Sequence, residues 1–125
     1  MPKVKYTPAK GLTQETGSGL EIFNDVSSVA ADGTGQADGA AISSLVTIVT
    51  GADATKGVVL PAGVKGKAII LTNVAAAAVL NVYGNSSSDK IDGVAFNTAY
   101  SHAAASTAMY LYTGSTRGWV VLQGA

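Results

Sequence analysis

From residue 20 to residue 122 the chain is a succession of short runs of strand formers, each closed by a turn signal. The runs at 20–24, 45–50, 57–60, 68–73, 79–83, 107–112 and 118–122 are rich in Val, Ile, Thr, Tyr and Trp. Such branched or planar side chains suit a pleated surface. Runs at 26–29, 90–93 and 98–101 carry the same signal more weakly. Between them sit Asp32-Gly33, Gly51, Pro61-Ala62-Gly63, Gly84-Asn85, Asp92-Gly93, Gly114 and Gly118. Glycine supplies positive φ there, and Asp or Asn bonds nearby backbone amides. Runs so closely spaced leave no room for long helices and predict an all-β fold. The expectation is an antiparallel β-sandwich, jelly-roll-like, over residues 20–125. One helical candidate remains at 36–44, with Asp38 placed to help cap it. The four alanines at 75–78 are too few to nucleate a helix and are expected to form a loop.

Residues 1–19 read differently. They hold Lys3, Lys5 and Lys10, two prolines (Pro2 and Pro8) and no apolar period. Pro8 disfavours regular structure around it, and Gly17-Ser18-Gly19 makes a flexible joint. The segment reads either as a disordered terminus or as an extended N-terminal arm that docks on a neighbour through its lysines and Tyr6.

A half-buried antiparallel strand alternates apolar with polar residues. Several runs here do not. Leu45, Val46, Ile48 and Val49 place apolar groups on both faces, as do Ile69, Ile70 and Leu71. Met109 to Tyr112 and Trp119 to Leu122 do the same. A small domain cannot enclose both faces of so many strands by itself. One face is therefore expected to form the core and part of the other a subunit interface. Leu111, Trp119 and Val121 are the candidates for core or intersubunit packing.

Composition narrows the function. Eight basic and eight acidic residues cancel, whereas a nucleic-acid binder needs a basic face to displace counterions. Charged residues are 13% of the chain, about half the usual share of about 25%. That leaves the surface weakly protected against association. There is no cysteine, so disulfides, thiolate chemistry and Cys-based zinc sites are excluded. The longest apolar run, 74–80, falls far short of the roughly 20 residues of a membrane helix. No apolar stretch follows the N-terminus as in a secretory signal. Synthesis in a cytoplasm is the expectation.

Chemistry-bearing motifs are sparse. His102 is the only imidazole, and no Gly-x-Ser-x-Gly elbow accompanies it; it is expected on a loop or the surface. The acids are scattered, and Asp32, Asp38 and Asp92 each precede a glycine, where Asp serves a turn. Asp89 and Asp92 lack calcium-loop spacing. The segment 33–39 and the segment 63–67 lack the spacing of phosphate loops. No catalytic residue, metal or cofactor is expected. Tyr83, Tyr100, Tyr110, Tyr112 and Trp119 are at home in a core or an interface, and exposed on a β surface they would suit a glycan.

Val58-Val59-Leu60-Pro61-Ala62, followed by Gly66-Lys67-Ala68-Ile69-Ile70-Leu71-Thr72-Asn73, resembles a pattern in small virion proteins of tailed bacteriophages. Leu80-Asn81-Val82-Tyr83-Gly84, Asp89-Lys90-Ile91-Asp92-Gly93, Asn97-Thr98-Ala99 and Gly118-Trp119 continue it. Ala31-Asp32-Gly33-Thr34-Gly35-Gln36-Ala37-Asp38 is similar to the segment that precedes it. The resemblance spans 29–123. Where those sequences carry Pro after the Val-Tyr pair, this one has Gly84-Asn85 and a serine run. The resemblance implies a structural, non-enzymatic capsid decoration (cement) protein, expected as a homotrimer on the outer capsid surface of a virion assembled in a bacterial cytoplasm. Its partners would be the major capsid protein and itself, with neither nucleic acid nor membrane. Lys3, Lys5, Tyr6 and Lys10 of the arm would contact the capsid. The alternative is a fibre or spike domain that binds host glycans, through 84–89 and exposed tyrosines.

Overall fold

The computed structural model describes residues 25–86 and 89–123, together with the backbone of Lys3–Thr7 and Gly11–Thr16. Eleven strands are found among them. β1 (Lys3–Thr7) and β2 (Gly11–Thr16) form a two-stranded antiparallel ribbon with Tyr6 opposite Leu12. These two strands fall within the segment 1–19 expected as an extended arm, and the rest of that segment lies outside the described residues.

The remaining strands are β3 (Val26–Ala30), β4 (Ala40–Ala41), β5 (Val46–Thr50), β6 (Gly57–Val59), β7 (Ala68–Asn73), β8 (Leu80–Tyr83), β9 (Tyr100–His102), β10 (Ser106–Tyr112) and β11 (Trp119–Gln123). They build a five-stranded sheet in the order β11-β10-β7-β5-β3 and a four-stranded sheet in the order β4-β6-β8-β9. The all-β fold class holds. The expected strand at 20–24 lies outside the described residues, and the weak run at 90–93 supplies only the isolated bridge partner Ile91.

Pairing departs from the expected antiparallel scheme, because both sheets are mixed. β3, β5 and β7 run parallel to one another, and so do β4, β6 and β8. Only β8–β9, β7–β10 and β10–β11 are antiparallel in these sheets. The reason is the route of the chain. From β3 to β8 each connection steps across to the other sheet, so strands of one sheet return to it in the same direction. Parallel neighbours need such a crossover, and the opposite sheet provides it in place of a helix. The turns at Asp32-Gly33, Gly51 and Pro61-Ala62-Gly63 join strands of different sheets, whereas the turn with Gly114 and Gly118 closes the β10–β11 hairpin.

The inner faces of both sheets feed one hydrophobic cluster. Val49, Ile69, Leu71, Ala108, Tyr110, Tyr112 and Trp119 come from the larger sheet, and Val58, Leu80 and Val82 from the smaller. Trp119 is fully buried, with its ring edge-on to Tyr112 at 5.3 Å between centroids. Burying a large side chain of this kind contributes roughly 1.5–3 kcal/mol, and edge-to-face rings add about 0.5–1.5 kcal/mol.

The helix expected at 36–44 does not form. Asp38 Oδ1 accepts from the amides of Thr34 (3.0 Å) and Gly35 (2.8 Å), which closes a turn instead of capping a helix. Gly33 has φ +64°, and a Cβ there would strike the Asp38 carbonyl. Residues 40–41 then enter the smaller sheet as β4. The alanines at 75–78 lie in a loop, as expected.

Candidate assembly surface and a buried histidine cluster

Alternation along the five-stranded sheet sends Thr47, Val49, Ile69, Leu71, Ala108, Tyr110, Tyr112 and Trp119 inward. Its outer face carries Val26, Val46, Ile48, Ile70, Met109, Leu111, Val120 and Leu122, with Ala, Ser and Thr between them. Strand register lines these up: Val26 pairs with Val46, Val46 with Ile70, Ile70 with Met109 and Met109 with Leu122. One apolar row therefore crosses all five strands. Leu111 and Val120 extend it on one side and Ile48 on the other. Val26, Ile48 and Leu122 are 54%, 39% and 58% exposed. These open aliphatic groups belong to one connected patch, which makes this face the candidate interaction surface.

No charged residue lies in any strand from β3 to β11. Charges of the described domain sit in the loops, and several are used locally. Asp53 accepts from the Thr55 hydroxyl (2.7 Å) and the amides of Thr55 and Lys56, which lowers its carboxyl to about 2. Asp89 Oδ2 accepts from the Gly63 amide at 2.9 Å. Arg117 lies 3.6 Å from Asp92. The outer face of the smaller sheet is different in kind. Asn81 there donates to the carbonyls of Ala54 (3.2 Å) and Thr55 (3.1 Å). Tyr83 is covered by the 32–39 turn and donates to the Thr34 carbonyl at 3.1 Å.

His102 overturns its expected surface placement. It is fully buried on β9. Its Nε2 lies 3.1 Å from the Ser106 carbonyl and its Nδ1 2.8 Å from the Tyr110 hydroxyl. A carbonyl only accepts, so Nε2 carries the proton, Nδ1 accepts, and the Tyr110 hydroxyl donates. Burial lowers the imidazole below its ordinary 6.5, against the opposing pull of the Ser106 carbonyl. Burial also raises Tyr110 well above 10.0, with the charges of Tyr100 and Asp92 adding to it. Tyr110 therefore keeps its proton and its role as donor. Both ring nitrogens are used in structure, which leaves the imidazole neither exposed nor free to shuttle protons. The sequence signal was the alternation of β9 itself, which places His102 opposite Leu80 on the inner face.

The other expected positions are distributed as follows. Leu111 is half-buried on the outer face, Trp119 fully buried, and Val121 half-buried against the core. Lys3, Lys5 and Tyr6 lie on β1, and Lys10 lies outside the described residues. Tyr83, Tyr110, Tyr112 and Trp119 are buried and Tyr100 is half-buried, so none forms the exposed aromatic platform of the glycan alternative. Among the described residues no group of three or more His, Asp or Glu stands together as a metal cage, and no helix is long and apolar enough to cross a membrane. No protein-family model matches the chain, and no curated protein sequence matches it significantly.

Proposed function

We propose that this protein is a structural virion component of a tailed bacteriophage, a capsid decoration protein that binds the outer head surface as a homotrimer. The observation that carries the reading is the charge-free apolar row across the outer face of the five-stranded sheet. A subunit held permanently in an assembly can keep such a face, because its partners cover it. The strand-and-turn resemblance over 29–123 supports the same reading from the sequence side. The two sheets share one core as a β-sandwich does, although their mixed pairing departs from the antiparallel order of a jelly roll; in this reading the N-terminal segment is the arm that reaches the capsid protein through Lys3, Lys5, Tyr6 and Lys10.

In this reading the protein is not an enzyme and acts by mass action. Ligating the assembled shell, and not its free subunits, stabilises the shell by the free energy of binding. Many copies on one particle multiply modest contacts. The glycan-binding alternative loses support from the burial of Tyr83, Tyr110, Tyr112 and Trp119.

The test is a density map of heads prepared with and without the protein, together with their thermal disruption. Density between capsomers, and heads that withstand higher temperature when decorated, is the expected result. Density confined to tails or fibres would replace this reading.

A further inference from the structure

We infer that the outer face of the five-stranded sheet packs against the same face of other copies of this chain. The inference rests on the assembly reading above and names the partner of that surface.

Three observations favour a second copy over other occupants. The face carries no charge, so it offers nothing to complement a charged partner. The chain is neutral overall, so its copies do not repel one another. The row Val26, Val46, Ile70, Met109, Leu122 has one medium-sized aliphatic group per strand. Read from either edge it presents nearly the same profile, so it can meet the same face of other copies around the three-fold axis of a trimer as well as across a two-fold axis.

The size of the face sets the strength. Five strands about 4.8 Å apart and about five residues long, at ~3.3 Å each, cover roughly 350 Å². That is about half of the ~800 Å² that each side of a standard interface buries. An interface of that size belongs to the weak, transient class, and assembly on a particle would raise the effective concentration.

Sedimentation velocity of the full chain between about 1 and 100 μM, a range suited to a weak interface, tests the inference. The wild-type chain is expected to self-associate. Ile48→Lys and Leu122→Lys alter open positions and are expected to keep the wild-type far-ultraviolet dichroism. Each is expected to weaken association at least ~100-fold, because a lysine would be buried without a partner. Ser101→Lys, on the exposed face of the other sheet, is expected to associate as the wild type does. A wild-type monomer throughout overturns the inference, and so do folded lysine variants that still associate. If the lysine variants do not fold, the cysteine-free chain allows a single nitroxide at Thr107→Cys. Spin coupling between copies there, and none from Ser101→Cys, supports the interface, and the reverse pattern overturns it. A self-associating chain that leaves heads undecorated removes the capsid reading and keeps the interface. A monomer that decorates heads removes the interface and assigns the face to the capsid protein.

Discussion

Replacing His102 by alanine is expected to destabilise the domain by about 3–5 kcal/mol. The ring is fully buried, stacked 5.9 Å from Tyr110 at 19° between planes, and holds two hydrogen bonds. Its removal leaves the buried Tyr110 hydroxyl and the Ser106 carbonyl without the ring nitrogens they face. Each stranded polar group costs about 1–3 kcal/mol, and the vacated volume adds a cavity penalty. The whole domain has only about 5–15 kcal/mol in hand. Tyr110→Phe keeps the packing and strands only Nδ1, so it should cost about 1–3 kcal/mol. The double variant His102→Leu with Tyr110→Phe removes both partners and should be less costly than the sum of its single changes, with a coupling of about 0.5–3 kcal/mol. Urea denaturation gives these values from the midpoint at constant slope. Protein concentration must be matched between variants, because self-association shifts the midpoint. A loss below about 1 kcal/mol in His102→Ala would falsify the reasoning and return this histidine to the surface role that its sequence context suggested.

Several further outcomes can be checked. The neutral, buried His102 binds its proton less readily in the fold than in the open chain, so the unfolded state takes up protons first as the solution is acidified. Stability should therefore fall as pH drops below about 6.5, approaching a slope of ~1.4 kcal/mol per pH unit. His102 is the only histidine, so His102→Gln should flatten denaturant midpoints between about pH 5 and 6.5; a slope retained there would refute the assignment. Trp119→Ala should cost about 3–5 kcal/mol. Trp119→Phe should cost much less, since the buried Nε1 has no hydrogen-bond partner to lose; equal losses in thermal unfolding would contradict this. Gly118→Ala should destabilise by at least about 2 kcal/mol. Its φ is +78° and a Cβ would run into the Lys90 backbone, so unchanged amide exchange protection at the Trp119 N–H, which donates to Lys90 O, would argue against the geometry. Removing residues 1–16 should leave the melting of the domain nearly unchanged and reduce cosedimentation with heads; unfolding of the truncated chain, or undiminished cosedimentation, would remove the arm's role.

The sequence by itself determined where the chain is straight and where it turns. Runs such as 68–73 and 107–112 became β7 and β10 within a residue or so at each end, because β-branched and aromatic residues bounded by glycine leave few other conformations. It also determined that apolar groups occupy both faces of the larger sheet, since a strand's side-chain period of two is local and needs no knowledge of neighbours. What lies next to what was decided only in three dimensions. The parallel order β3-β5-β7 depends on loops that cross to the opposite sheet, and nothing in a glycine-rich turn states whether the next strand joins its own sheet or the facing one. The segment 36–44 shows the same limit on a smaller scale: its composition permits a helical turn, and the Asp38 carboxylate settles it by bonding two amides of a tight turn. The alternation of so short a strand as β9 hints at an inner face for His102, but only the convergence of Tyr110 and the Ser106 carbonyl shows it buried. The apolar row exists for the same reason. Val26, Val46, Ile70, Met109 and Leu122 are far apart along the chain, and only the register of four strand pairs makes them one surface.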